Sequence, residues 1–158
     1  MTTHDPRPPR TAAAHALAMM VAANGRADPR ELQALEELDA FGRLGVPRAR
    51  FETLVDECLH EVGSGLAGSS WLHARDQACV DRLLDAVVDA QDRLLVCRLA
   101  AAALTADGQV SWDERLVFDH ALARWHVTRA MLTQAILHDH TPAAGRHARP
   151  LVERPLAG

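Results

Sequence analysis

Ala23-Asn24-Gly25-Arg26-Ala27-Asp28-Pro29-Arg30-Glu31 and, further along, Ala106-Asp107-Gly108-Gln109-Val110-Ser111-Trp112-Asp113-Glu114 align residue for residue without a gap. Each follows an apolar, Ala-rich run and precedes an amphipathic one. In each copy a glycine, Gly25 or Gly108, suits the left-handed residue that ends a helix. A capping signature then opens the next helix. Ser111 followed three residues later by Glu114 is a capping box. In the first copy Asp28 caps, Pro29 takes the first helical position and Glu31 is the return partner. The pair of stretches therefore predicts the same helix–turn–helix unit twice.

Working outward, residues 11–23 are almost wholly Ala, Leu, Met and Val and read as a helix with little polar face. A second helix over 29–42 carries Leu32, Leu35, Leu38 and Phe41. A third follows Pro47, with Phe51, Leu54, Val55, Cys58, Leu59 and Val62 in a one-sided stripe. Residues 63–70, rich in Gly and Ser, are a loop by composition. A fourth helix spans 71–88, and the chain resets around Asp89-Ala90-Gln91-Asp92. The fifth, over 93–105, is apolar nearly all round with Arg98 as its polar exception, so it belongs in the middle of a bundle. The sixth and seventh cover 112–125 and 129–138. Leu44-Gly45-Val46-Pro47-Arg48-Ala49 also aligns with Trp125-His126-Val127-Thr128-Arg129-Ala130 once two residues are dropped. The expected fold is all-α: a bundle of about seven helices with an internal pseudo-twofold repeat, whose units cover about 12–61 and 93–138. Residues 1–10 read as a disordered tail, 11–138 as the helical domain and 139–158 as a mostly irregular C-terminal tail.

At 158 residues, with 48% hydrophobic and 24% charged residues, the chain is one-domain sized and can bury a core. Its formal net charge of -4 gives no global pull towards nucleic acid. All 17 basic residues are Arg, so no lysine nucleophile or Schiff base is available in this chain, and there is no Tyr. Cys58, Cys79 and Cys97 stand far apart, which argues against a disulfide framework or zinc ribbon and for buried small hydrophobes in a reducing cytoplasm. No signal peptide is visible, and no stretch reaches the roughly 18 to 20 apolar residues of a spanning helix.

Asp107-Gly108-Gln109-Val110 with Glu114 copies the second half of an EF-hand loop. The first half is wrong: its leading ligand positions fall on Ala103 and Thr105, and in the other copy on Met20 and Ala22. A true EF-hand is rejected. A weaker hard-cation site, for Ca or Mg, stays open as an alternative to plain turn and cap chemistry: its ligands would be Asp107, Asp113 and Glu114 with backbone oxygens or water, and Asp28 and Glu31 are the lesser first-copy set. Helix capping alone explains Glu31 and Glu114. It does not explain Asp107, which faces the negative end of a helix dipole; either the turn favours Asp or a cation offsets the cost. Among the nine histidines, His138-Asp139-His140 reads as a solvated helix end, His120 and His126 share a face poorly, and His15 reads as a satisfied core histidine. No phosphate loop, G-x-S-x-G or H-E-x-x-H occurs. No catalytic residue is assigned. A cation-binding module and a plain protein-interaction bundle remain open, with an enzyme built on a histidine-lined cleft a third reading.

The doubled unit, an Ala-rich helix ending in A-D-G, a hydrophobic residue two positions on, then S/D-x-x-E, resembles the TerB-like family associated with tellurite resistance, of which the N-terminal region of DjlA-type co-chaperones is a relative. The resemblance covers about residues 12–137. It implies a helical bundle with acidic clusters that bind metal, at Asp107 and Glu114 and, in the first copy, Asp28 and Glu31. It implies a bacterial stress or envelope role through protein partners and not through catalysis, in the cytoplasm or beside the inner membrane. Asn24 stands where the family has Asp, which weakens the first-copy site.

Overall fold

The computed structural model describes residues 9–24, 28–62 and 74–140. Among them the chain is all-α, with eight α-helices and no strand: α1 Thr11–Val21, α2 Pro29–Glu37, α3 Ala40–Leu44, α4 Arg48–Val62, α5 Ala74–Asp85, α6 Ala90–Thr105, α7 Trp112–Trp125 and α8 Arg129–His140. A single 3-10 turn, Ala22–Asn24, continues α1. Expectations on residues 1–8, 25–27, 63–73 and 141–158, including the left-handed Gly25, the Gly/Ser loop and most of both tails, lie outside the described residues.

Two helices form the centre. Every residue from Ala16 to Ala23 is buried, as are Leu95 to Ala100, Ala103 and Leu104. A helix apolar on all sides has no face to give to water, so α1 and α6 pack on each other and the rest wrap around them. α4 covers α1, and α8 covers α6. The two amphipathic helices cross over: α2 packs on α6, and α7 on α1 and its terminal turn. Each thus leans on the apolar helix of the other sequence copy.

The predicted second helix is broken in two. Asp39 adopts a left-handed conformation (φ 53°), so Ala40–Leu44 sets off as a separate turn of helix. That raises the count from about seven to eight. α6 starts at Ala90 and not at 93, because Asp89 caps it by accepting the Gln91 and Asp92 N–H groups at 2.8 and 3.1 Å. α8 runs on to His140, two residues past its expected end. The N-terminal boundary also shifts. The Arg10 N–H donates to the Leu44 carbonyl at 2.8 Å, and its guanidinium lies 3.0 Å from Asp92, so Arg10 is tied to the bundle.

The aligned connectors share one geometry. Gly45 (φ 66°) and His126 (φ 54°) are the left-handed residues that close α3 and α7. Val46 N–H reaches back to Phe41 O, and Val127 N–H to Leu122 O, both at 3.0 Å. This is the Schellman arrangement, which satisfies carbonyls that the helix end would leave unpaired. α5 is tied to α7 by a polar seam: Arg124 forms two 2.8 Å bonds with Asp85, His120 lies 2.6 Å from Asp81, and the buried Trp125 indole donates to Leu84 O at 3.0 Å.

Candidate functional site

The local geometry of the second turn follows its sequence. Gly108 has φ 77°. The Asp107 carboxylate accepts the Gln109 N–H at 2.9 Å, so turn chemistry accounts for an acidic residue at this helix end. The Ser111 hydroxyl accepts the Glu114 N–H at 3.2 Å, and the Glu114 carboxylate accepts the Ser111 N–H at 3.1 Å, completing the capping box. In the first copy the Asp28 carboxylate accepts the Arg30 N–H at 2.8 Å, ahead of Pro29.

Capping does not predict the depth of the two glutamates. Glu31 and Glu114 are 1% and 2% exposed, and among the described residues they are the buried acidic side chains. Both are the third residues of their helices, α2 and α7, and both are buried in the bundle. Burial lifts the Glu31 carboxyl from its ordinary 4.5 to about 7; the Glu114 charge pushes the same way, with further contributions from Asp28 and Asp107. A hydrogen bond from the Asp28 backbone opposes the rise. Glu31 Oε2 is buried and has no hydrogen-bond partner among the described residues. Such an atom is costly to leave unsatisfied. The arrangement can therefore take up a proton, or a hard cation that prefers carboxylate oxygen.

The structure regroups the expected site residues. Glu114, Asp28 and Asp107 all lie near enough to Glu31 to act on it electrostatically. Asp113 is half-buried and takes no part in the interactions that shift Glu31. The carboxylates that act on Glu31 come from both aligned stretches of sequence. Such donors are all oxygen, a chemistry that suits a hard cation and not a soft metal. Among the described residues no three His, Cys, Asp or Glu side chains converge to hold an ion, so backbone oxygens or water would have to complete a coordination shell.

Other candidates fare differently. His15 is half-buried, but its Nε2 is buried with no hydrogen-bond partner among the described residues, so it is not the satisfied core histidine expected. His138, Asp139 and His140 belong to α8, not to a tail. Asp139 is the partner of Arg98, which sequence reasoning left as an unexplained polar exception: Arg98 Nε donates to Asp139 Oδ2 at 2.9 Å. Arg43 reaches the same carboxylate through two bonds of 3.4 Å. The signal was present as a lone arginine inside an apolar helix, which demands a carboxylate somewhere. Cys58 and Cys97 are buried as expected and Cys79 is partly buried; burial pushes the Cys97 thiol up to about 12, which leaves it unreactive.

No protein-family model, curated protein or solved structure matches this chain. Among the described residues, no helix is long and apolar enough to cross a membrane.

Proposed function

We propose that this chain is a non-catalytic, TerB-like interaction module whose paired glutamates, Glu31 and Glu114, form a cation-responsive site beneath its two turns. The observation that carries the reading is the buried, unpartnered Glu31 Oε2, on which a second buried carboxylate, Glu114, acts electrostatically. Two charged carboxylates within reach of each other away from water repel unless a proton or a cation offsets their charge. A divalent cation such as Ca or Mg would offset that repulsion and set the spacing of α2 and α7. The acidic turn also displays apolar side chains to solvent: Trp112 is 71% and Val110 45% exposed. Large apolar groups at such a position are a surface for a protein partner. The internal pseudo-twofold repeat belongs to the same reading; the matched Schellman closures and the crossed packing of α2 and α7 support it. A bacterial stress or envelope role, in the cytoplasm or beside the inner membrane, is the context that the resemblance suggests.

Calorimetric titration with Ca, Mg and Zn at pH 8 tests the site. A saturable heat with Ca or Mg, abolished by Glu31→Gln and by Glu114→Gln, is the expected outcome. No heat, or a heat that both substitutions leave intact, removes the cation and leaves a plain protein-interaction bundle.

A further inference from the structure

A cleft lies away from the glutamates, between α6, α8 and α3. It has a volume of about 610 Å³ and is lined by Arg43, Leu94, Arg98, Met131, Ala135 and Asp139, with others. Its distinguishing group is Arg98, which projects from the apolar α6 and is 5% exposed. A guanidinium presents five N–H donors in a planar fork. Among the described residues Arg98 has one partner, Asp139, which takes only the Nε–H. The two Nη groups, with four donors, have none, and they are not among the side-chain atoms sealed from solvent without a partner. They are therefore reachable from the cleft.

The charge count agrees. Arg43 leans on the same Asp139 carboxylate through long contacts of 3.4 Å. Two guanidinium groups around one carboxylate leave a surplus of one positive charge in a partly dehydrated cleft. Such a surplus calls for one more negative charge. A monoanion fits it; a dianion would overshoot and be repelled by Asp139. Leu94, Leu95, Met131 and Ala135 give the cleft an apolar wall, and Gln91, Gln134 and His138 complete the lining. A planar carboxylate matches the guanidinium fork in a bidentate way, and an apolar body matches the wall.

We propose that this cleft is a binding site for an amphipathic monocarboxylate, with the carboxylate held by the free edge of Arg98 and by Arg43 and the hydrocarbon lying against Leu94 and Met131. The site is independent of the glutamate pair and of any cation there.

The test titrates the full chain with octanoate, with octanol as a neutral match and with inorganic phosphate as an anion lacking an apolar body, using calorimetry in low-salt buffer. Octanoate is expected to bind saturably, with octanol and phosphate each at least about tenfold weaker, the worth of a charge-assisted hydrogen bond. Arg43→Gln should weaken octanoate about tenfold. Arg98→Met should abolish binding while leaving the helical circular dichroism unchanged, because Asp139 keeps Arg43 as its partner. Should Arg98→Met fail to fold, the half-exposed Arg43→Gln decides alone. Absence of octanoate binding at millimolar concentration, equal binding of octanol or phosphate, or octanoate binding unaffected by Arg43→Gln each overturns the proposal.

Discussion

Glu31 is a buried carboxyl under electrostatic conflict. Its ordinary carboxyl value of 4.5 is raised to about 7 by burial and by Glu114. The sign of the consequence follows from linkage. The folded state holds the proton that the unfolded chain releases above 4.5, so the contribution to stability is fully present below that pH. It is lost as pH rises through about 7. At about 1.4 kcal/mol per pH unit the loss amounts to about 3 kcal/mol. Urea midpoints measured from pH 5 to pH 8 in a chelating buffer should therefore fall for the natural chain. Glu31→Gln, neutral throughout and close in shape, should flatten that slope and be the more stable of the two at pH 8. A wild-type midpoint that does not fall over this range would contradict the burial assigned to Glu31. The two carboxylates were legible as helix caps, and their spacing from the turn glycine is the same in both copies. What was not legible is that both are buried and within electrostatic reach of each other, because local capping accounts for each separately and says nothing of depth.

At the scale of single elements, the start of α7 shows how far local chemistry reaches. Gly108 at φ 77° has open space around an added Cβ, so Gly108→Ala meets no clash and its cost is backbone strain alone. Thermal unfolding should show a loss of about 1 kcal/mol. Ser111→Ala removes the hydroxyl that accepts the Glu114 N–H, and should cost a similar amount, about 1 kcal/mol. A loss well above this for Ser111→Ala would mean that the cap also holds Glu114 in place at the buried site. This turn, its cap and the ends of α7 were all readable beforehand, because each depends on residues within a few positions of one another. The break at Asp39 and the extension of α8 were not. Asp39 continues an amphipathic stripe in sequence, yet its backbone turns left-handed. His138 to His140 resemble a frayed end until Asp139 is seen against Arg98. The extension of α8 depends on a partner distant in the chain, and hydrophobic period gives no sign of the backbone reversal at Asp39.

Over the whole molecule, the core rests on two helices apolar all round, in contact with each other. Ala100 lies fully buried in α6 at 0% exposure, where a small side chain leaves no spare volume. Ala100→Leu should destabilise by about 1 to 3 kcal/mol through overpacking, read from chemical denaturation. An unchanged midpoint would mean that α6 has room beside it, contrary to this packing. The all-α class, the Gly108 turn, the caps and the central place of α6 were set by the sequence alone, because they follow from hydrophobic period and from hydrogen bonds between near neighbours. Only the tertiary structure brought Glu31 within electrostatic reach of Glu114 and Arg98 into contact with Asp139. Those meetings depend on which helix crosses which, and crossing is decided by packing across the whole core, to which no local stretch of sequence has access.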